Sequence, residues 1–444
     1  MQVKSSIEIE AETAGQSERS GRAPAREVAL ALLEYCEARD WAGHDPYDAL
    51  NSPVWRRIPF LNFKLARLAL TQVNKRSPVN LRPLLGIGPK HNPKGLALFV
   101  SSLLSLSRSG VAEKRLAARD LCERLLESRS PDHDLHCWGY SFPWQTRWGL
   151  VPAGAPNLVC TTFAANALLD AYEETGESRF AESARSAAEY LVDELYYSSA
   201  GGSVAGFAYP LPSMRHEIHN ANFLAAALLA RAGAVCGDGR FLEPALAGAR
   251  YSAAKQHRDG SWAYGERRNY RWVDHFHTGF NLCALRELGN HARTDEFEPV
   301  MARGFDYYRG HFFRDDGAPK YYNNRTYPID AHCVAQAIIT LVELRDLRPG
   351  SERLARKVMD WAHSGLWDSR GYFHYRVYAV GKNRISYMRW TQAWMLRALA
   401  TLLEMPGRTG PGPSGAGGHA EERRPACRTG DRSEIASSSR SEGA

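Results

Sequence analysis

Three histidines stand where helices are expected to begin, in the runs Glu217-Ile218-His219, Asp274-His275-Phe276-His277 and Asp330-Ala331-His332. They recur at a long and nearly constant interval, which is too wide for a local motif and suits equivalent positions in successive units. An amide follows each at helical-neighbour spacing: Asn222, Asn281 and Gln336. Imidazoles and carboxylates gathered at one cavity would support proton transfer near neutral pH. For hydrolysis of a glycosidic bond, Asp274, Asp330 and Glu217 would supply acid and base, a pair about 6.5–9.5 Å apart inverting and a closer pair retaining. For epimerisation or β-elimination, His277, His219 or Tyr264 would remove a proton α to a carboxylate, with Asn281, Arg147 and Arg389 holding the enolate-like charge. His332 completes the candidate set. The excess of His, Tyr, Asn and Arg over carboxylates favours the second chemistry. The plainer reading of any one position is a helix cap. Zinc would accept the same ligand types, but three separate helices would have to meet at a narrow axis, so neither a metal nor a cofactor is expected.

Aromatic residues crowd the same stretches, among them Trp138, Tyr140, Trp144, Trp272, Tyr321 and Trp390, with Gln145 beside them. Flat apolar faces next to hydroxyls and indole N–H groups suit sugar rings, although about half of these residues should be structural. Each connection into a candidate helix also carries arginine: Arg147, Arg215, Arg267, Arg325, Arg376 and Arg389. Ringed around one mouth, they would focus anions and fork onto carboxylate, sulfate or phosphate. The expected partner is therefore an acidic oligo- or polysaccharide, or a phosphate-linked sugar.

The elements that must position these groups are legible as a repeat. Gly206-Phe207-Ala208-Tyr209, Gly260-Ser261-Trp262-Ala263-Tyr264, Gly317-Ala318-Pro319-Lys320-Tyr321 and Gly371-Tyr372-Phe373-His374-Tyr375 end on tyrosines that are almost evenly spaced along the chain. Their period fits one helical hairpin with its connections. Paired helical patterns are predicted at 95–106 with 112–127, 161–173 with 179–195, 222–235 with 242–255, 278–288 with 296–308 and 331–344 with 352–361, and 387–403 closes the set. The first member of each pair is apolar on most sides and the second amphipathic, as inner and outer helices are. The expected fold is all-α: an α/α toroid of about six or seven hairpins with short β-hairpin-like connections.

This pattern resembles the α/α toroid superfamily, which includes six-hairpin glycosidases, polysaccharide lyases, sugar epimerases and terpenoid cyclases. Gln256-His257-Arg258-Asp259-Gly260-Ser261-Trp262 is similar to the Q-x-x-x-G-x-W repeat of squalene cyclases, a structural clamp in that family. The cyclase D-x-D-D motif is missing, which counts against that reaction. The run Trp138-Gly139-Tyr140-Ser141-Phe142-Pro143-Trp144-Gln145 resembles bacterial toroid proteins linked to polysaccharide biosynthesis. The resemblance implies a carbohydrate-active protein, with a non-catalytic glycan-binding scaffold and an isoprenoid-binding protein as the alternatives.

Composition sets the remaining bounds. Of 444 residues, 44% are hydrophobic, enough for a large core, and a formal net charge of +7 without a long basic arm gives no reason to expect nucleic-acid binding. The eight cysteines are scattered and form no C-x-x-C pair, which suits a reducing compartment. No secretory leader pattern or membrane span is read, and a cytoplasmic location is expected. Residues 1–24 read as a disordered segment, 25–404 as one toroid domain and 405–444 as a disordered Gly/Pro/Ser/Arg-rich tail.

Overall fold

The structure, a computed structural model, describes residues 25–405 apart from 147, 148 and 202. The segment 1–24, the tail from 406 and the candidate Arg147 lie outside the described residues. Helix α1 covers residues 25–37, and a strap carrying α2 (Pro53–Arg56) and α3 (Lys64–Arg76) follows. Five hairpins come next: α4 (Pro93–Arg108) with α5 (Arg115–Glu127), α6 (Leu158–Thr175) with α7 (Ser178–Tyr190), α8 (His219–Cys236) with α9 (Leu242–Ala253), α10 (His275–Ala292) with α11 (Glu298–His311), and α12 (Ala331–Glu343) with α13 (Ser351–Leu366). Helix α14 (Trp394–Glu404) continues a π-helical run, Met388–Ala393.

The even-numbered helices from α4 to α14 pack in cyclic order, and α14 returns to α4, so the inner ring closes. The outer member of the sixth pair is α1. Its Tyr35 ring lies 5.1 Å from Tyr372 beyond α13, and its Glu37 pairs with Lys114 before α5 at 2.7 Å. The first described helix thus completes a pair with the last described one, a closure that the repeat alone did not reveal. Inner helices such as α8 are buried on nearly every side, and one continuous apolar core runs from Ala25 to Met405.

Three of the repeated glycines hold the hairpins together at close quarters. Gly260, Gly317 and Gly371 adopt φ of +92°, +89° and +89° and lie against the backbones of α11, α13 and α1 respectively. A Cβ on Gly260 would come 2.4 Å from the Arg303 carbonyl oxygen. Gln256 donates to the carbonyls of Gly260 (3.0 Å) and Val300 (2.9 Å), and the Trp262 indole donates to Ser252 (3.0 Å), so this motif is a structural clamp. Gly260→Ala combines left-handed strain with a backbone clash and is expected to cost about 2–4 kcal/mol, measured by urea unfolding.

Three of the four repeated tyrosines then fix the start of the preceding inner helix. The amides of His219, His275 and Ala331 donate to the carbonyls of Tyr264, Tyr321 and Tyr375 at 3.2, 3.0 and 3.1 Å. Helices α6, α8 and α10 begin three residues earlier than predicted; the first turns of α8 and α10 open on histidine and other polar residues that resemble loop in sequence, whereas that of α6, Leu158-Val159-Cys160, is apolar. The true register is therefore His219, His275 and Ala331 at the first residue of each helix.

Candidate active site

The second residue of every inner helix faces one cavity. These six residues are Lys94, Val159, Asn220, Phe276, His332 and Arg389, and together they floor a hollow of about 530 Å³. Asn220, Phe276 and His332 are evenly spaced along the chain, in the phase set by the tyrosine carbonyls. The expected trio falls at three different helical positions: His219 first, His277 third and His332 second. Successive helical residues turn by about 100°, so these side chains diverge.

His219 accordingly points away from the axis. Fully buried, it bonds Ser252 Oγ on α9 at 3.1 Å and Glu266 Oε1 at 2.9 Å, and Asn222 beside it bonds Ser252 Oγ and the Phe207 amide. Its repeat equivalent, His275, likewise turns outward to the Tyr308 hydroxyl on α11 at 3.1 Å. His219→Ala is expected to cost about 1–3 kcal/mol of stability through the orphaned partners while leaving kcat within a few-fold. Parallel denaturation and turnover assays check both halves.

His277 does reach the cavity. Asp274 caps α10 by accepting from the His277 amide (3.0 Å) through Oδ1, while its Oδ2 accepts from His277 Nδ1 (2.7 Å) and the Trp272 indole (2.9 Å). The proton is thereby held on Nδ1, which leaves the Nε2 lone pair available, the arrangement of an oriented general base. Asp274, expected as an acid or base for hydrolysis, is placed as the cap of α10 and the partner of the His277 ring.

His332 stands nearby, with the Phe276 ring centroid 4.7 Å from it and 4.1 Å from His277. Trp394 and Trp390 lie 4.4 and 4.7 Å from its ring, and neither ring nitrogen has a hydrogen-bond partner among the described residues. Burial, followed by the charges of Lys94 and Arg389, drives its pKa well below the usual imidazole value, so it stays neutral at physiological pH. Asp330 holds the backbone beneath it. One oxygen accepts from the His332 amide (2.8 Å) and the Trp390 indole (2.9 Å), the other from Arg376 Nε (2.6 Å). With both oxygens engaged and no exposure, Asp330 is a positioning residue, not the free acid expected of it.

Lys94 is the group that sequence reasoning missed. It is buried and makes no ion pair among the described residues, its Nζ lying 4.2 Å from the Phe163 ring centroid and 5.2 Å from that of Trp394. Burial, with Arg389 adding repulsion, lowers its pKa to about 7. Arg389 itself is neutralised by a two-pronged pair with Asp45 at 2.6 and 2.9 Å. A lysine in the first turn of an otherwise apolar helix was the available signal.

The remaining candidates divide cleanly. Tyr140, Trp144, Gln145, Tyr264, Trp272, Tyr321 and Trp390 line the cavity with Asp274, His277, His332 and Arg389. Tyr264 stacks on Trp272 at 4.8 Å, and burial lifts its phenol well above the ordinary value, so it is a protonated wall and not a base. Asn281 borders a separate, water-sized void shared with Asp274 and His277. Trp138 is core, its indole donating to Leu125 at 2.7 Å, and Gln336 donates to Thr340 on its own helix and to Cys283 Sγ across to α10. Glu217, at φ +46°, is half-buried and off the cavity wall. Of the connection arginines, only Arg389 is on that wall among the described residues. Nor does any group of three His, Cys, Asp or Glu side chains among the described residues gather closely enough to hold a metal ion.

The strap supplies a roof that no repeat pattern signalled. Two buried ion pairs, Arg82–Asp48 at 2.7 Å and Arg389–Asp45 at 2.6 Å, tie its ends to each other and to the last inner helix. Arg67 on α3 bonds Gln145 at 2.6 Å. Leu68, Thr71, Gln72 and Lys75 of α3 then cover the hollow, and Lys75 donates to the Tyr47 hydroxyl.

No protein-family model matches the chain, and no curated protein matches it in sequence. Its fold is nevertheless shared with solved structures. The cellobiose 2-epimerase of Bacillus thermoamylovorans superposes with a TM-score of 0.56 at 11% identity, covering 71% of this chain and 88% of that one. A family 76 α-mannanase of Bacteroides thetaiotaomicron gives 0.55 at 12%, covering 70% and 86%. An unsaturated glucuronyl hydrolase specific for heparin gives 0.51 at 12%, covering 72% and 87%. The architecture is the six-hairpin α/α toroid of these glycosidase-like proteins.

Proposed function

We propose that this chain is a carbohydrate-active enzyme that abstracts a proton from an acidic, uronate-type sugar unit, leading to epimerisation or β-elimination in cell-surface polysaccharide metabolism. The observation that carries this reading is the Asp274–His277 pair, with Nε2 open to a cavity that also holds the neutral, unpartnered His332. His277 takes the proton α to the substrate carboxylate. Lys94 balances the charge that develops on that carboxylate, and the aromatic walls grip the sugar faces. For epimerisation, a protonated wall phenol such as Tyr140, whose resulting phenolate the Arg389 guanidinium over its ring would stabilise, returns a proton to the opposite face of the same carbon. For elimination, a protonated phenol such as Tyr264 gives its proton to the departing oxygen.

Asp274 is the acidic side chain on the cavity wall among the described residues, so the two-carboxylate pair needed for ordinary glycoside hydrolysis has little support. The mixed polar floor likewise weighs against an isoprenoid ligand. Among the described residues no helix is long and apolar enough to cross a membrane, and all seven described cysteines are free. The free cysteines support a reducing compartment, such as the cytoplasm, for the reaction.

Incubation with uronate-containing oligosaccharides in D₂O, followed by NMR, tests the proposal. Deuterium entering α to the carboxylate without cleavage identifies an epimerase, and an unsaturated product identifies a lyase. New reducing ends without either would overturn the proton-abstraction reading in favour of hydrolysis. Tight binding with no chemistry would point instead to a glycan-binding scaffold.

A further inference from the structure

The roof helix has a second face, which the reaction does not use. Between Ala49 and Ala112 the sequence contains ten Lys or Arg residues and no Asp or Glu. Seven of the thirteen exposed large hydrophobic side chains among the described residues lie in the strap between residues 54 and 84, so apolar exposure is concentrated there. On α3, Leu65, Ala69 and Val73 form an exposed stripe at four-residue spacing, turned about 110° from the face that roofs the cavity. Phe60 is 79% and Leu65 70% exposed, and Arg56, Arg57, Lys64 and Arg76 flank them in solvent.

The charge bias extends around the mouth. Arg215, Arg268, Arg271, Arg325 and Arg384 are exposed on the stretches between a repeated tyrosine and the next inner helix, where the acids are buried (Asp274, Asp330) or half-buried (Glu217, Glu266), whereas the exposed Asp259, Asp315 and Asp316 precede those tyrosines. An apolar stripe framed by cations at one end of a molecule is the pattern of a helix lying in a lipid headgroup region. An acidic glycan would account for the cations but gives no reason to expose Phe60 and Leu65. A second copy of the same face would set Arg56, Arg57 and Lys64 against like charges.

We propose that α3 and the adjoining strap dock this enzyme on an anionic lipid bilayer, with the cavity mouth at the membrane surface. The inference is independent of which sugar chemistry the cavity performs. Anionic headgroups neutralise the strap cations, and Phe60, Phe63, Leu65 and Val73 enter the acyl boundary without unfolding the roof.

Co-sedimentation of the full-length chain with phosphatidylcholine vesicles, with and without phosphatidylglycerol, tests this directly. Binding is expected only with phosphatidylglycerol and should weaken as salt rises. The triple variant Phe60→Ser, Leu65→Ser, Val73→Ser should reduce it at least tenfold with an unchanged melting temperature, because these side chains are exposed. Reversal of Arg56, Arg57 and Lys64 to Glu should cost about a hundredfold or more, since each basic residue near such a surface contributes about fivefold. Absence of binding to either vesicle would overturn the proposal. So would unaltered binding of the serine variant, which would indicate charge attraction alone. A dimer in lipid-free solution that the serine substitutions dissolve would assign the face to a second copy instead.

Discussion

Replacing His277 with alanine is expected to lower turnover of an acidic oligosaccharide by about 10²–10⁴-fold, the usual contribution of a positioned general base, while its affinity stays within a few-fold. The split follows from geometry. The imidazole is 22% exposed and offers one nitrogen to the cavity, whereas Trp144, Trp272 and Trp390, the walls proposed to grip the sugar, are left in place by the substitution. Asp274→Asn provides the sharper control. An amide NH₂ facing Nδ1 favours the other tautomer, placing the proton on Nε2 where the base is needed. Activity should fall to a similar degree, although the cap can survive because asparagine also accepts from the His277 amide. Single-turnover kinetics and calorimetric titration with the same oligosaccharide check the pair. Full turnover in either variant would remove His277 from the reaction.

Lys94→Met is expected to stabilise the protein at neutral pH by roughly 1–3 kcal/mol, as hydrophobic replacement of a buried charge commonly does, and to abolish affinity for acidic sugars. Phe163, Phe280 and Trp394 surround the Lys94 ammonium, and a thioether of similar length fills that space without a charge to desolvate. The pH dependence gives a second readout. The folded chain releases the Lys94 proton near pH 7, whereas the unfolded chain retains it to the ordinary value of 10.5. Between those limits the unfolded state binds more protons, so this residue makes stability rise with pH, and the Met variant should lack that rise. Substrate affinity should run the opposite way, falling as pH passes upward through about 7 because the ammonium that holds the carboxylate is lost. Melting temperatures and KM measured on both sides of neutral pH separate the two trends. A destabilised Met variant with normal affinity would show that Lys94 serves packing alone. The destabilising cation is retained, on this view, for binding, a common trade at functional sites.

The arrangement couples a floor of six helix starts to a roof made from a segment outside the repeat. The floor offers a base, a neutral imidazole and an uncompensated lysine. The roof offers Tyr47 and Lys75 and turns its other face outward. Chemistry and location are thus separable, and substitutions on the two faces of α3 should affect different assays.

Those features that depend on neighbours in the chain were legible from the sequence alone. A long, nearly constant period specifies hairpins that must stack, and the glycines, Gln256 and Trp262 mark turns whose hydrogen bonds are settled within a few residues or by the next repeat. The Asp274–His277 pair belongs to this class, because three residues of helix bring its partners together. Tertiary structure alone decided the rest. Whether His219, His277 or His332 faces the axis depends on helical phase, which long-range bonds from the tyrosine carbonyls of the next repeat set to within one residue; a one-residue change in register turns a side chain through about 100°. The pairing of α1 with α14 and the fastening of the strap by Arg82 and Arg389 join residues far apart in the chain. The isolation of Lys94 from any carboxylate is likewise a property of the closed ring, since burial and the absence of a partner among the described residues arise only when all six inner helices meet.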